Sequence, residues 1–136
     1  MTDFEQEFGV KVTYDVYENN EEMLAKIQAG ASGYDIVVPT DYMVTIMRGE
    51  GLLAELDHAN VPNVKNLDPL FVNPPYDPGN RYSVAYQWGT VGLLVRPVAG
   101  KSVPETWGLV FDAKLQPGKF VLIDSVRDCL GAALKF

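Results

Sequence analysis

Apolar and polar residues alternate from residue 10 to residue 16, with Val10, Val12, Tyr14 and Val16 on one side. A period of two is the pattern of a half-buried strand. The period then changes. Asn19, Asn20, Glu21 and Glu22 offer an asparagine cap with a carboxylate three residues on, and Met23, Leu24, Ile27 and Ala29 follow at helical spacing before Gly30. That predicts a helix with a glycine stop. Residues 34–38 (YDIVV) form a short apolar run ended by Pro39, a second predicted strand. Thr40 or Asp41 then caps a helix running to about Arg48 and ended by Gly49. This β-α-β-α order with short connections favours a parallel sheet covered by helices.

The next stretch, residues 53–81, contains Pro62, Pro69, Pro74, Pro75 and Pro78 and reads as an irregular surface excursion. Residues 82–86 and 91–95 then look like two strands separated by Gln87, Trp88, Gly89 and Thr90. Residues 104–109 (PETWGL) suit one helical turn, and residues 120–123 (FVLI) a buried strand. Residues 125–136 form a last predicted helix, with Val126, Cys129, Leu130, Ala133 and Leu134 apolar. No internal repeat or low-complexity segment is present.

Composition narrows the chemistry. The 136 residues make one ordinary domain, and 47% hydrophobic with 21% charged residues is a globular balance. The net charge is −7 and the 11 basic residues form no run, which argues against a nucleic-acid partner. An acidic surface suits a cationic ligand, though acidity also serves solubility. Cys129 is the single cysteine and His58 the single histidine, so no disulfide, metal or cofactor is expected. Cys129 reads as a packed thiol in an apolar stretch. No apolar run approaches the ~20 residues of a membrane span, and Met1 is followed at once by Thr2, Asp3 and Glu5. The sequence as given is therefore expected to carry no signal peptide. It has no nucleophile elbow, phosphate loop or paired histidines, and binding is expected rather than catalysis.

Several stretches resemble bacterial polyamine-binding proteins, the spermidine/putrescine receptors of ABC importers. They are residues 8–29 (FGVKVTYDVYENNEEMLAKIQA), 34–53 (YDIVVPTDYMVTIMRGEGLL), 66–92 with its NLDP, PYDPGN and YQWGTVG, and 121–134 (VLIDSVRDCLGAAL). They run along nearly the whole chain in the family's order. The resemblance implies an α/β fold of the periplasmic-binding-protein type II kind, with two lobes joined by crossing strands and the ligand in the cleft between them. It also implies a fragment: residues 1–86 as a partial first lobe lacking its first strand, and residues 87–136 as the crossover and the start of a second lobe. The missing strand would lie between residues 10–16 and 34–38. The implied partners are putrescine or spermidine and the permease of the importer, and the implied location is the periplasm.

A polyamine site needs acceptors and carboxylates for the ammoniums, and aromatic faces for the methylenes and for cation–π attraction. Thr40 and Tyr42 sit where a predicted strand hands over to a helix, the usual ligand position in open α/β sheets. The family places a hydroxyl and an aromatic residue at the matching positions, which implies ligand contact for both. The plainer alternative makes Thr40 or Asp41 a helix cap and leaves Tyr42 packed on the surface. Asp41 could touch the ligand, or only offset the positive field of the helix N-terminus. Ser125 and Asp128 have the spacing of a capping box, whereas the resemblance implies an amine-binding carboxylate at Asp128. At the position matching Ser125 the best-known spermidine receptors carry another acid. Trp88 either lines the cleft or packs in the hinge. The competing expectations are a truncated piece that binds nothing and self-associates through exposed sheet edges, and a receptor for another small cation.

Overall fold

The computed structural model describes residues 1–30, 33–96, 102–116 and 118–136. By internal contacts the chain divides into two units, Met1–Tyr86 and Gln87–Phe136.

In the first unit, α1 (Thr2–Phe8) packs Phe4 on Phe8 with ring centroids 4.6 Å apart, and Gly9 closes it in the left-handed conformation. Sequence reading placed no element there, because seven residues carry too little periodicity. Helix α2 (Asn20–Gln28) starts as expected: Asn19 Oδ1 accepts the Glu22 backbone N–H at 2.8 Å. Helix α3 (Asp41–Gly49) runs past its predicted stop. Gly51, not Gly49, takes the left-handed turn at φ 70°. Its N–H goes to the Arg48 carbonyl and that of Leu52 to the Met47 carbonyl, a Schellman closure that also lays Leu52 against the core.

That core is small and rich in methionine. Met23 of α2 meets Met43 and Met47 of α3, with Tyr17, Ile27, Val37, Tyr42 and Leu53 packed around them. Methionine's unbranched chain fills such irregular space well.

Residues 53–81 are more than a surface excursion. They contain four short 3₁₀ turns, His58–Asn60, Pro62–Asn66, Pro69–Phe71 and Pro78–Asn80, and they wind around two buried polar side chains. Asp77 is 0% exposed, and its Oδ2 accepts from the N–H groups of Tyr82 and Ser83 and from the Ser83 hydroxyl at 2.7–3.0 Å. Asn80 Oδ1 accepts from the Asn73 N–H at 2.7 Å, and its amide donates to the carbonyls of Phe71 and Ser83. Asn73 and Asn80 both hold positive φ, which asparagine tolerates best among residues with a side chain.

None of the expected strands is formed among the described residues. Residues 10–17 and 33–38 instead flank an open slot of about 650 Å³. Their backbone groups turn to side chains: Val12 N–H donates to Glu5 Oε1 at 2.7 Å, and Val16 N–H to Asp15 Oδ1 at 2.9 Å. Side chains bridge the slot. Tyr34 donates its hydroxyl to Asp15 at 2.5 Å, and Tyr17 donates to the Val38 carbonyl. A strand holds its ladder only with a partner alongside, and here the apolar residues meant for one remain open, Tyr14 at 71% and Ile36 at 82% exposure.

In the second unit α4 (Gly108–Phe111) and α5 (Val126–Leu134) carry the order. The turn expected at 104–109 falls later in the chain, with Gly108, Leu109 and Val110 buried. The predicted strands at 91–95 and 120–123 are likewise unpaired, and Leu94 and Val121 are fully open to solvent.

Candidate functional site

The loop ahead of α3 and the first turn of α2 meet through side chains. The Asn20 amide Nδ2 donates to Thr40 Oγ1 at 2.9 Å and to the Tyr42 hydroxyl at 3.0 Å, while Asn20 Oδ1 accepts the Thr40 N–H at 3.2 Å. The Tyr42 hydroxyl in turn donates to Glu21 Oε1 at 3.2 Å. Thr40 occupies the N-cap position of α3, yet its hydroxyl makes no cap bond. Asp41 is the acidic residue of the first turn, and its Oδ1 accepts the Tyr42 N–H at 2.7 Å. A carboxylate there lies favourably against the helix dipole. Tyr42 is half-buried, with its ring on the methionine core.

Tyr76 belongs to the same neighbourhood. Burial first, and then the carboxylates of Asp41 and Asp77, push its phenol up from the ordinary value. Hydroxyls, aromatic rings and carboxylates thus converge on one end of α3, a set suited to an alkylammonium. The sequence singles out Thr40, Asp41 and Tyr42 as candidates; the structure sets Asn20 and Glu21 beside them through hydrogen bonds. A signal existed for Asn20, because a helix start needs one capping asparagine and the chain has two.

Elsewhere in the first unit, a hydrogen bond from Tyr34, the Val16 N–H and the charge of Lys26 hold Asp15 below the usual carboxylate range. Glu22 is also lowered, by the Glu18 N–H and then by Lys26, whose ammonium lies 3.0 Å away. Both groups are open to solvent, and the arrangement is a surface ion-pair network.

In the second unit Ser125 caps α5, its Oγ accepting the Asp128 N–H at 3.4 Å. Half of a capping box is therefore present. The other half is absent from the described contacts, because the Ser125 N–H goes to the Ile123 carbonyl at 2.8 Å. Asp128 borders a hollow of about 300 Å³ walled by Trp107, Phe111, Val121 and Ile123, among others, and is its one charged lining residue among those described. Cys129 lines the same hollow and its thiol donates to the Ile123 carbonyl at 3.3 Å. Trp88 lines neither hollow and is 70% exposed. His58 sits exposed in a 3₁₀ turn capped by Asp57. Among the described residues no group of three His, Cys, Asp or Glu side chains could hold a metal ion, and no helix is long and apolar enough to cross a membrane.

The chain belongs to the bacterial extracellular solute-binding proteins, whose family model matches residues 1–136. It is 38% identical over 138 residues to the spermidine/putrescine-binding periplasmic protein of Escherichia coli strain K12, covering 99% of this chain and 39% of that one. A putrescine-binding periplasmic protein of Pseudomonas aeruginosa is also 38% identical, over 98% of this chain and 40% of its own. Among solved structures, the substrate-binding protein of a spermidine/putrescine ABC transporter from Streptococcus pneumoniae, crystallised with calcium and HEPES, is similar with a TM-score of 0.69. That match is 39% identical and covers 78% of this chain and 33% of the other. The chain thus spans about 39% of the length of the first curated relative.

Proposed function

We propose that the chain carries part of the ligand cleft of a polyamine receptor, the solute-binding component of an ABC importer of putrescine or spermidine. The observation that carries this reading is the convergence of the Thr40 hydroxyl, the Tyr42 ring and the Glu21 carboxylate at the N-terminal end of α3. An ammonium leaving water needs acceptors to replace its hydration, and its methylenes need an apolar cover. Thr40 supplies an oxygen, Tyr42 an oxygen and a face, and Glu21 with Asp41 a negative field. The relatives named for polyamines supply the ligand class. In the second unit, taken by itself, we assign Asp128, with Trp107 and Phe111 near it, as an amine-binding carboxylate. Ser125 acts through the cap that holds Asp128 in place, and Trp88 is assigned to the cleft rim.

The α/β reading belongs to the same proposal. Residues 1–86 correspond to a first lobe that lacks one strand, and residues 87–136 to the crossover and the start of a second lobe. The slot between residues 10–17 and 33–38 supports this, because it is open where one further strand would pair with both flanks. By the same likeness the working receptor is periplasmic and docks on its importer's permease, and we assign it no catalysis.

Isothermal titration with putrescine and spermidine tests the reading. Weak binding that Thr40→Val and Tyr42→Leu abolish is expected, since the closure of two lobes supplies the remaining contacts. Tight one-to-one binding by the monomer, or weak binding untouched by both substitutions, refutes it. A second reading has its own support: the unpaired apolar segments, Val121 and Leu94 foremost, suit association between copies.

A further inference from the structure

Asn20 follows the residue that caps α2. Asn19 alone satisfies that cap, its Oδ1 taking the Glu22 N–H, so the second asparagine is free for other work. Its carboxamide reaches the loop before α3. A backbone N–H only donates, so the Asn20 atom facing the Thr40 N–H at 3.2 Å is the carbonyl oxygen. That settles which way the amide points. Nδ2 must be the atom that meets Thr40 Oγ1 at 2.9 Å and the Tyr42 hydroxyl at 3.0 Å. Its two hydrogens are then both committed. Each hydroxyl accepts from Asn20 and aims its own proton elsewhere, that of Tyr42 toward Glu21 Oε1 at 3.2 Å.

We propose that Asn20 is a positioning residue of the cleft wall: by donating to Thr40 and Tyr42 together, it fixes the orientation of both groups before an ammonium arrives. The inference rests on the polyamine reading and deepens it. A side chain already held in its bound rotamer pays less entropy when the ligand is captured. A phenol that donates to a carboxylate also carries a more electron-rich oxygen, a better acceptor for a cation. Without Asn20 the preset orientation goes, although neither Thr40 nor Tyr42 has changed and the Tyr42 hydroxyl still has Glu21 to donate to.

Two variants separate positioning from helix support. Asn19→Ala removes the cap and leaves the amide bridge, while Asn20→Leu removes the bridge and leaves the cap. Three-bond couplings from NMR report the χ1 rotamers of Thr40 and Tyr42, and a spermidine titration followed by amide shifts reports affinity. We expect single rotamers in the unsubstituted chain and in Asn19→Ala, and averaged ones in Asn20→Leu. Affinity should fall about tenfold in Asn20→Leu alone, the loss that goes with a misplaced hydrogen bond to a charged group. Asn20→Ser, short and polar but without the amide donors, repeats the test if Asn20→Leu loses its fold. Unchanged couplings in the Asn20 variants, or equal changes in Asn19→Ala, overturn the proposal. Absence of any spermidine-dependent shift in the unsubstituted chain instead defeats the polyamine reading, and the couplings then still decide whether Asn20 orients its neighbours.

Discussion

Tyr17 donates its hydroxyl to the backbone carbonyl of Val38 across the slot that separates residues 10–17 from residues 33–38. The two residues are 21 apart in sequence, and between them is open space where a strand ladder would close the gap. The link belongs to the slot's rim and stands in for backbone pairing. Tyr17→Phe keeps the ring on the methionine core and removes only this bond. Its cost should be near 1 kcal/mol, the ordinary net value of one hydrogen bond, read as a lower urea midpoint with an unchanged slope. A cost of zero would mean that the slot's width is set elsewhere.

Much of the fold was legible because its signals are local. Asn19 three residues before Glu22, and Ser125 three residues before Asp128, mark the starts of α2 and α5 within one turn of chain. Strand patterns at residues 10–16 and 34–38 were equally clear, but a strand is completed by a partner from elsewhere, and periodicity says nothing about whether that partner is present. The candidate site shows the same division. Thr40 and Tyr42 could be singled out from their place at a helix start together with the family resemblance, whereas the Asn20 amide that joins them lies 20 and 22 residues away. Tyr76 was hidden in a proline-rich stretch that reads as loop.

Asp77 holds that proline-rich stretch together. It is fully buried and one oxygen takes three hydrogen bonds, while Oδ1 has no partner among the described residues. Asp77→Ala leaves the half-buried N–H groups of Tyr82 and Ser83 without their acceptor and should cost about 1–3 kcal/mol. Asp77→Asn keeps an acceptor toward both groups and should cost clearly less. Thermal unfolding of the two variants checks the order, and equal losses would contradict it.

The acidic limb of the stability profile follows from Asp15 and Glu22. Both carboxyls lie below their ordinary values in the folded chain, Asp15 chiefly through Tyr34 and Glu22 chiefly through the Glu18 N–H. A depressed carboxyl stabilises above its unfolded value and loses that contribution as pH falls through its folded value. Lys26 has the opposite sign: Glu22 raises it, so its share is lost only as pH rises beyond the ordinary lysine value. Urea midpoints should therefore drop as pH falls below about 4, and Glu22→Gln should flatten that drop. A profile identical to that of the unsubstituted chain would remove Glu22 from the account.

Unpaired apolar segments should make themselves felt in solution. Ile36, Leu94 and Val121 are among the most exposed side chains, and open segments of this kind recruit other strands. Light scattering across a concentration series should show mass rising above the monomer, and Ile36→Lys with Val121→Lys should suppress the rise. A strictly monomeric chain at all concentrations contradicts this.

The most direct test of the cleft-wall reading is an NMR titration of the isotope-labelled chain with spermidine, run beside fully acetylated spermidine, which has the same backbone but no ammonium. Shifts concentrated at Asn20, Glu21, Thr40 and Tyr42 with spermidine, and none with the acetylated compound, are the predicted result. Equal shifts with both compounds, or shifts that avoid these four residues, would contradict it.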